Sequence, residues 1–265
     1  MITTLNLAAL AALVPALLIS PEAERRDARF WGTLALAIAG PLIALILVFD
    51  GHWQTGFAAA LWLGVVASLL LFALIVGNSP VAARLTPLVI AHALAIGTLA
   101  TAFAGTESRA YAPAAPGVWL ATHIALSIVT YGVVTLAALA GLAVFLQERA
   151  LKRRQPTRLT RLLPPVLAGE TLQFRLLQTA AALLTVGLVS GIAVEVVSTG
   201  RWLRVDHKTV LVMAALAAVI GVLVAHARIG LRGRRFGRMV LVAYLLLTLA
   251  YPGVKFVTDV VLARG

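Results

Sequence analysis

Cysteine is absent from the chain. That excludes disulfides, thiol relays and cysteine-held iron–sulfur clusters. Charge is scarce as well: Asp, Glu, Lys and Arg make up 12% of the 265 residues, where a soluble domain carries about a quarter. Only 10 residues are acidic. No nucleotide-binding loop, metalloprotease motif or nucleophile elbow is present, and no His and carboxylate cluster has zinc-ligand spacing. The GLRGRR segment at 230–235 lacks the order of a phosphate loop. Hydrolase chemistry is unsupported, and the chain is not expected to be an enzyme.

What is present is apolar. Hydrophobic residues make up 61% of the chain, and its mean hydropathy is +0.99. Those values belong to a polytopic membrane protein. No segment is large and polar enough for a separate soluble core, so residues 1–265 read as one transmembrane domain. The net charge of +12 would suggest nucleic acid in a soluble protein. Here the bases cluster in loops, and nucleic-acid binding is not expected.

A bilayer crossing needs roughly 20 residues. Eight apolar segments qualify, at about 4–20, 32–49, 57–77, 84–104, 118–146, 174–198, 208–228 and 238–260. The expected fold is therefore an all-α, polytopic bundle of about eight transmembrane helices. Pro15, Pro41 and Pro87 fall within spans and are expected to bend them. The first span, MITTLNLAALAALVPALLIS, has its positive charges after it and no basic n-region, which is unlike a signal peptide. With both termini outside, loops 21–31, 78–84, 147–175 and 228–238 are cytoplasmic and hold sixteen of the 22 Lys and Arg residues. That asymmetry is the positive-inside pattern. From about Val166 the long inner loop turns amphipathic and is expected at the membrane interface before the sixth span.

Within GVWLATHIALSIVTYGVVTLAALAGLAVF, the residues Trp119, His123, Ser127 and Tyr131 recur every four positions. On a helix this makes one stripe, drifting about 40° per step. An intramembrane imidazole is costly without a partner, so the stripe should face protein, a cofactor or a cavity. His123 then reads as an axial haem ligand, a proton-relay group or a packing hydrogen bond to a neighbouring helix. His226, near the inner end of the seventh span, is a second buried imidazole or an interfacial residue. His92 is expected to make a helix–helix hydrogen bond, and His52 to be solvated. In STGRWLRVDHKTV, Arg201, Arg204, His207 and Lys208 surround Trp202 and Asp206. That loop suits either an anionic ligand such as a carboxylate or haem propionate, or a membrane-surface anchor. Glu195 is close enough in sequence to pair with one of its cations. Lys255 and Asp259, one turn apart, are expected to pair with each other. Gly187 and Gly191 suit close helix packing.

Segments 117–147 and 170–191 resemble two consecutive spans of the CcsA-type cytochrome c assembly proteins. HKTV at 207–210, GLRGRR at 230–235 and LAYPGVKFV at 249–257 resemble the closing pattern of that group's YpjD branch. The similarity runs in order through 117–261, and an assembly-type region is expected over about 57–261. The resemblance implies a haem-handling protein of the bacterial inner membrane, with other cytochrome assembly proteins as expected partners. His123 falls on the family's first outer histidine, and His226 on a membrane histidine. The Trp-rich loop is reduced to TGRWLRVDHK, retaining Trp202, Asp206 and Lys208. The implied role is therefore haem binding without covalent ligation. His123 would be the axial ligand to the haem iron, with His207 or His226 as second candidate. Arg201, Arg204 and Lys208 would hold the propionates, and Trp119, Ser127 and Tyr131 would support the same face. The resemblance to HemX-type relatives implies an alternative, a non-catalytic scaffold or regulator docking a cytoplasmic partner through Lys152, Arg153 and Arg154.

Overall fold

Apolar runs of this length have one low-cost backbone solution in lipid, since a helix bonds every N–H and C=O internally. The computed structural model describes residues 2–18, 26–49, 54–105, 109–110, 117–200, 206–231 and 233–262. Its helices are α1 (Ile2–Leu18), α2 (Ala28–Phe49), α3 (Phe57–Asn78), the short α4 (Pro80–Ala83), α5 (Thr86–Ala102), α6 (Val118–Arg153), the short α7 (Arg158–Leu162), α8 (Val166–Thr199), α9 (His207–Ile229) and α10 (Gly233–Thr248). Beyond Thr248 the last helix runs on through wide π turns at Leu249–Gly253 and Val257–Val261. Two-residue strands, β1 (Gln54–Thr55) and β2 (Arg109–Ala110), pair antiparallel and tie the segment before α3 to the segment after α5.

This is a polytopic helical bundle. Among the described residues, six helices are at least 18 residues long and apolar enough to cross a membrane, while α1 and α5, with 17 residues each, fall just short of that length. Two expectations are corrected. The sixth span does not start near 174: α8 begins at Val166, so the amphipathic stretch is its first turns and not a separate interfacial segment. Pro87 bends nothing, because it sits in the first turn of α5, where a missing N–H costs no hydrogen bond. Pro15 and Pro41 do lie inside α1 and α2.

The core gathers around α3 and α6, whose apolar windows are 61% and 72% buried, against 11% for α8 and 17% for α9. Small residues set the close approaches. Gly141 on α6 meets the fully buried Gln173 side chain of α8, and Gly132 leaves room for Leu71 of α3. Hydroxyl groups inside helices are satisfied locally: Thr130, Thr135 and Thr248 each donate to the carbonyl four residues back.

At the far end of α6, the Gln147 amide donates to the carbonyls of Thr160, Leu163 and Pro164 at 2.7, 3.1 and 3.2 Å. One side chain thus fixes the turn that carries the chain from α7 into α8. Gln147→Leu leaves those partly buried carbonyls without a donor. The expected result is a loss of about 1–3 kcal/mol, read as a lower unfolding temperature in detergent, with faster proteolysis between 155 and 165.

Candidate functional site

The first turns of α6 and α9 and the last turns of α8 lie at one end of the bundle. There α9 packs on α8 and on the last helix but makes no extensive contact with α6. The gap is a cavity of about 550 Å³, within the 300–1,000 Å³ usual for small-molecule sites. Small residues open it: Gly56, Ala59 and Ala60 beside and on α3, and Gly187 and Gly191 on α8. Most of the wall is aliphatic, from Leu120, Ile124, Leu184, Leu188 and Val212. The polar groups are His123, Ser127, Thr130 and Tyr131 on α6, Glu195 on α8, Asp206, Lys208 and Thr209 at the start of α9, and Tyr251 and Lys255 on the last helix.

His123 is partly buried in this wall. Its Nδ1 lies 2.9 Å from Ser190 Oγ, and Ser190 donates its one hydroxyl proton to the Gly187 carbonyl at 2.8 Å. With that proton on the Gly187 carbonyl, Ser190 accepts from Nδ1–H, and Nε2 is then the unprotonated nitrogen. Among the described residues Nε2 has no hydrogen-bond partner. A ring nitrogen with a free lone pair, held by a hydrogen bond at the other nitrogen, is the arrangement of a metal-ligating histidine. Gly191 makes room for the ring, since a Cβ there would stand 3.0 Å from Cε1.

The predicted stripe divides. His123, Ser127 and Tyr131 line the cavity, whereas Trp119 is 58% exposed and off its wall. Ser127 gives its proton to the His123 carbonyl at 2.8 Å, so it is committed within its own helix. Tyr131 reaches Thr248 (3.4 Å between oxygens) and stacks on Tyr244 at 6.0 Å. Its ring packs close to Gly64, where a Cβ would approach within 3.0 Å. Tyr131 is therefore part of the floor that joins α6, α3 and α10.

The other described histidines do not join His123. His207, the first residue of α9, is exposed and off the cavity wall, although Asp206 and Lys208 on either side of it are part of that wall. His226 lies 19 residues further along α9, a rise of about 28 Å. There its Nδ1 donates to the Leu231 carbonyl at 2.8 Å, and its ring packs between Phe174 (4.3 Å) and Phe236 (5.4 Å). His92 meets α10 through an edge contact with the Tyr244 ring at 6.3 Å, where a hydrogen bond was expected. Arg201, Trp202 and Arg204, and also His52, fall outside the described residues.

At the rim, Asp206 caps α9 by accepting the Thr209 N–H at 2.9 Å. That hydrogen bond holds its carboxyl below the ordinary carboxylate range. The cap therefore stabilises α9 at neutral pH and is lost only when the pH falls through the lowered value. Glu195 accepts from Thr199 at 3.1 Å, and no ion pair to Lys208 forms among the described residues. Lys255 and Asp259 do pair, at 4.0 Å. Lys255 also lines the cavity, which spacing alone did not reveal, because the wide turns before it shift the helix face. Among the described residues no three His, Cys, Asp or Glu side chains group to chelate an ion.

The family model described as Cytochrome C assembly protein matches residues 31–262, so the match reaches back into the second helix. The chain is 47% identical over 263 residues to the "Uncharacterized 28.8 kDa protein in nifR3-like 5'region" of Azospirillum brasilense, covering 97% of each. It is 29% identical over 254 residues to "Inner membrane protein YpjD" of Escherichia coli (strain K12), covering 95% of this chain and 94% of that protein. No solved structure matches. With the family model spanning most of its length, this chain belongs to the cytochrome c assembly protein family.

Proposed function

We propose that this protein holds and hands over haem at the outer face of the bacterial inner membrane, in the service of cytochrome assembly. The observation that carries the reading is His123, an imidazole held through Nδ1 by Ser190 in the wall of an apolar cavity. The donor set fits haem. One imidazole cannot hold a bare ion, but it suffices for a metal that brings four nitrogen ligands of its own. Aliphatic walls suit the macrocycle, and Lys208 and Lys255 suit its acidic edge. Arg201 and Arg204 are the further cations the sequence offers. Haem held there would supply an iron centre; His123 would be its protein ligand, and the surrounding helices would exclude water. Covalent attachment is left to other assembly proteins.

The outer location follows if α1 and α5 also cross. At 17 residues they sit at the lower limit of spanning length. Eight crossings put both termini on one side, and the four loops with sixteen of 22 basic residues on the other. The cavity lies at the end of α6 away from those loops. The Escherichia coli relative is named as an inner membrane protein, which supports the same location here.

The test is purification from haem-supplemented cells. A Soret band is expected in the unaltered protein and in His226→Ala, with at least about a tenfold loss in His123→Ala. Equal bands with and without His123, or no band in either, would sink the proposal.

A further inference from the structure

At the opposite end of the bundle, Phe145, Arg149, Lys152 and Arg153 wall a groove of about 350 Å³. They occupy positions i, i+4, i+7 and i+8 of α6 and so share one face. We propose that this groove binds the phosphate headgroup of an anionic phospholipid. The assignment rests on the membrane-spanning reading alone and is independent of haem.

Depth argues for lipid. α6 has 36 residues, a rise of about 54 Å, and Phe145 lies about 40 Å along the axis from Val118. The hydrocarbon core is about 30 Å thick, and about 40–45 Å with its headgroups. With Val118 at the outer headgroup edge, Phe145 falls at the inner headgroup level, and the three cations start about 6–12 Å beyond it and reach back along their flexible stems. Leu151 and Leu167, at this same end, are 69% and 71% exposed.

Charge argues for an anion. Among the described residues no carboxylate comes within ion-pair distance of Arg149, Lys152 or Arg153. The nearest acidic residue in sequence, Glu148, is turned to Gly233, where a Cβ would stand 2.7 Å from its Oε1. Glu170 accepts the Gly233 N–H at 2.8 Å. Both carboxylates are thus drawn to the start of α10. Arg154 ends α6 in the left-handed region, at φ 52°, and no residue of the turn that follows lines the groove.

The test uses the full chain, delipidated in mild detergent and titrated with phosphatidylglycerol or phosphatidylcholine, with bound lipid counted by native mass spectrometry. Several-fold preference for phosphatidylglycerol is expected. R149Q/K152Q/R153Q should cut its retention about a hundredfold, at roughly fivefold per cation. R158Q/R161Q on α7 should change it less than about twofold. Should the triple variant fail to fold, R149Q alone is expected to show the single-cation loss of about fivefold. Equal retention of the two lipids, or full retention by the variants, overturns the proposal. Complete displacement by millimolar inorganic phosphate would reassign the groove to a free anion. Loss of a co-purifying cytoplasmic protein in the triple variant, with lipid preference intact, would reassign it to protein docking.

Discussion

Haem retention is expected to fall about ten- to hundredfold when Ser190 is replaced by alanine. Ser190 touches no ligand in the proposed reading. It acts through His123: its own proton goes to the Gly187 carbonyl, and its oxygen accepts Nδ1–H. Alanine removes the acceptor. The imidazole then loses both its orientation and the preference for the tautomer that leaves Nε2 free. Ser190→Thr, which keeps the hydroxyl, should retain most of the haem. Unfolding of the haem-free protein in detergent should change by only about 1 kcal/mol, the worth of one partly buried hydrogen bond. The discriminating readout is spectroscopic. A positioning role predicts a shifted or broadened Soret band in the residual complex, whereas a packing role leaves the band in place and moves only stability. Unchanged affinity and band in Ser190→Ala would refute the tautomer argument even if His123→Ala loses all haem.

The helices were legible because a membrane span is written in composition. Runs of twenty apolar residues leave the backbone few choices, and the long helices fall within a few residues of the expected segments except at the start of α8 and at the end of α6, which runs on past 146 to Arg153. That start was misread because polar residues between Val166 and Arg175 resemble a loop in sequence. In space, Gln173 and Glu170 are consumed by contacts to Gly141 and Gly233. His123 was legible as a costly group needing a partner. The partner was not. Ser190 is a lone serine in an apolar run, 67 positions away, and nothing in the spacing marks it. Nor was the cavity visible, since it is the space left where α9 stands off α6. The contribution of Lys255 depends on π turns that a 3.6-residue period cannot anticipate. The separation of His226 from His123 follows simply from the length of α9, and it divides two histidines that the sequence offered as candidates for one site.

Two glycines on one face of α8 give the sharpest remaining contrast. Gly187 and Gly191 are a turn apart and both line the cavity. Sequence treats them alike, as small residues for close packing. The structure does not. A Cβ at Gly187 would meet only Leu126, at 3.9 Å, an ordinary contact. A Cβ at Gly191 would stand 3.0 Å from His123 Cε1, with both ring nitrogens within 3.7 Å. The ring is pinned to Ser190 on the same helix, so it has to give by a few tenths of an ångström against that hydrogen bond. Gly187→Ala is therefore expected to keep its haem. It should also be as stable as the unaltered protein or slightly more so, since alanine is favoured over glycine inside a helix by up to about 1 kcal/mol. Gly191→Ala gains the same helical preference but should lose haem at least about tenfold, and Gly191→Val should lose it almost completely. A small misplacement of a reacting group is enough for such losses. Measured side by side, haem content and unfolding temperature should thus move apart: the Gly191 variants stay folded and lose their pigment. Equal haem content in Gly187→Ala and Gly191→Ala would show that the imidazole wall is not where the ligand is held.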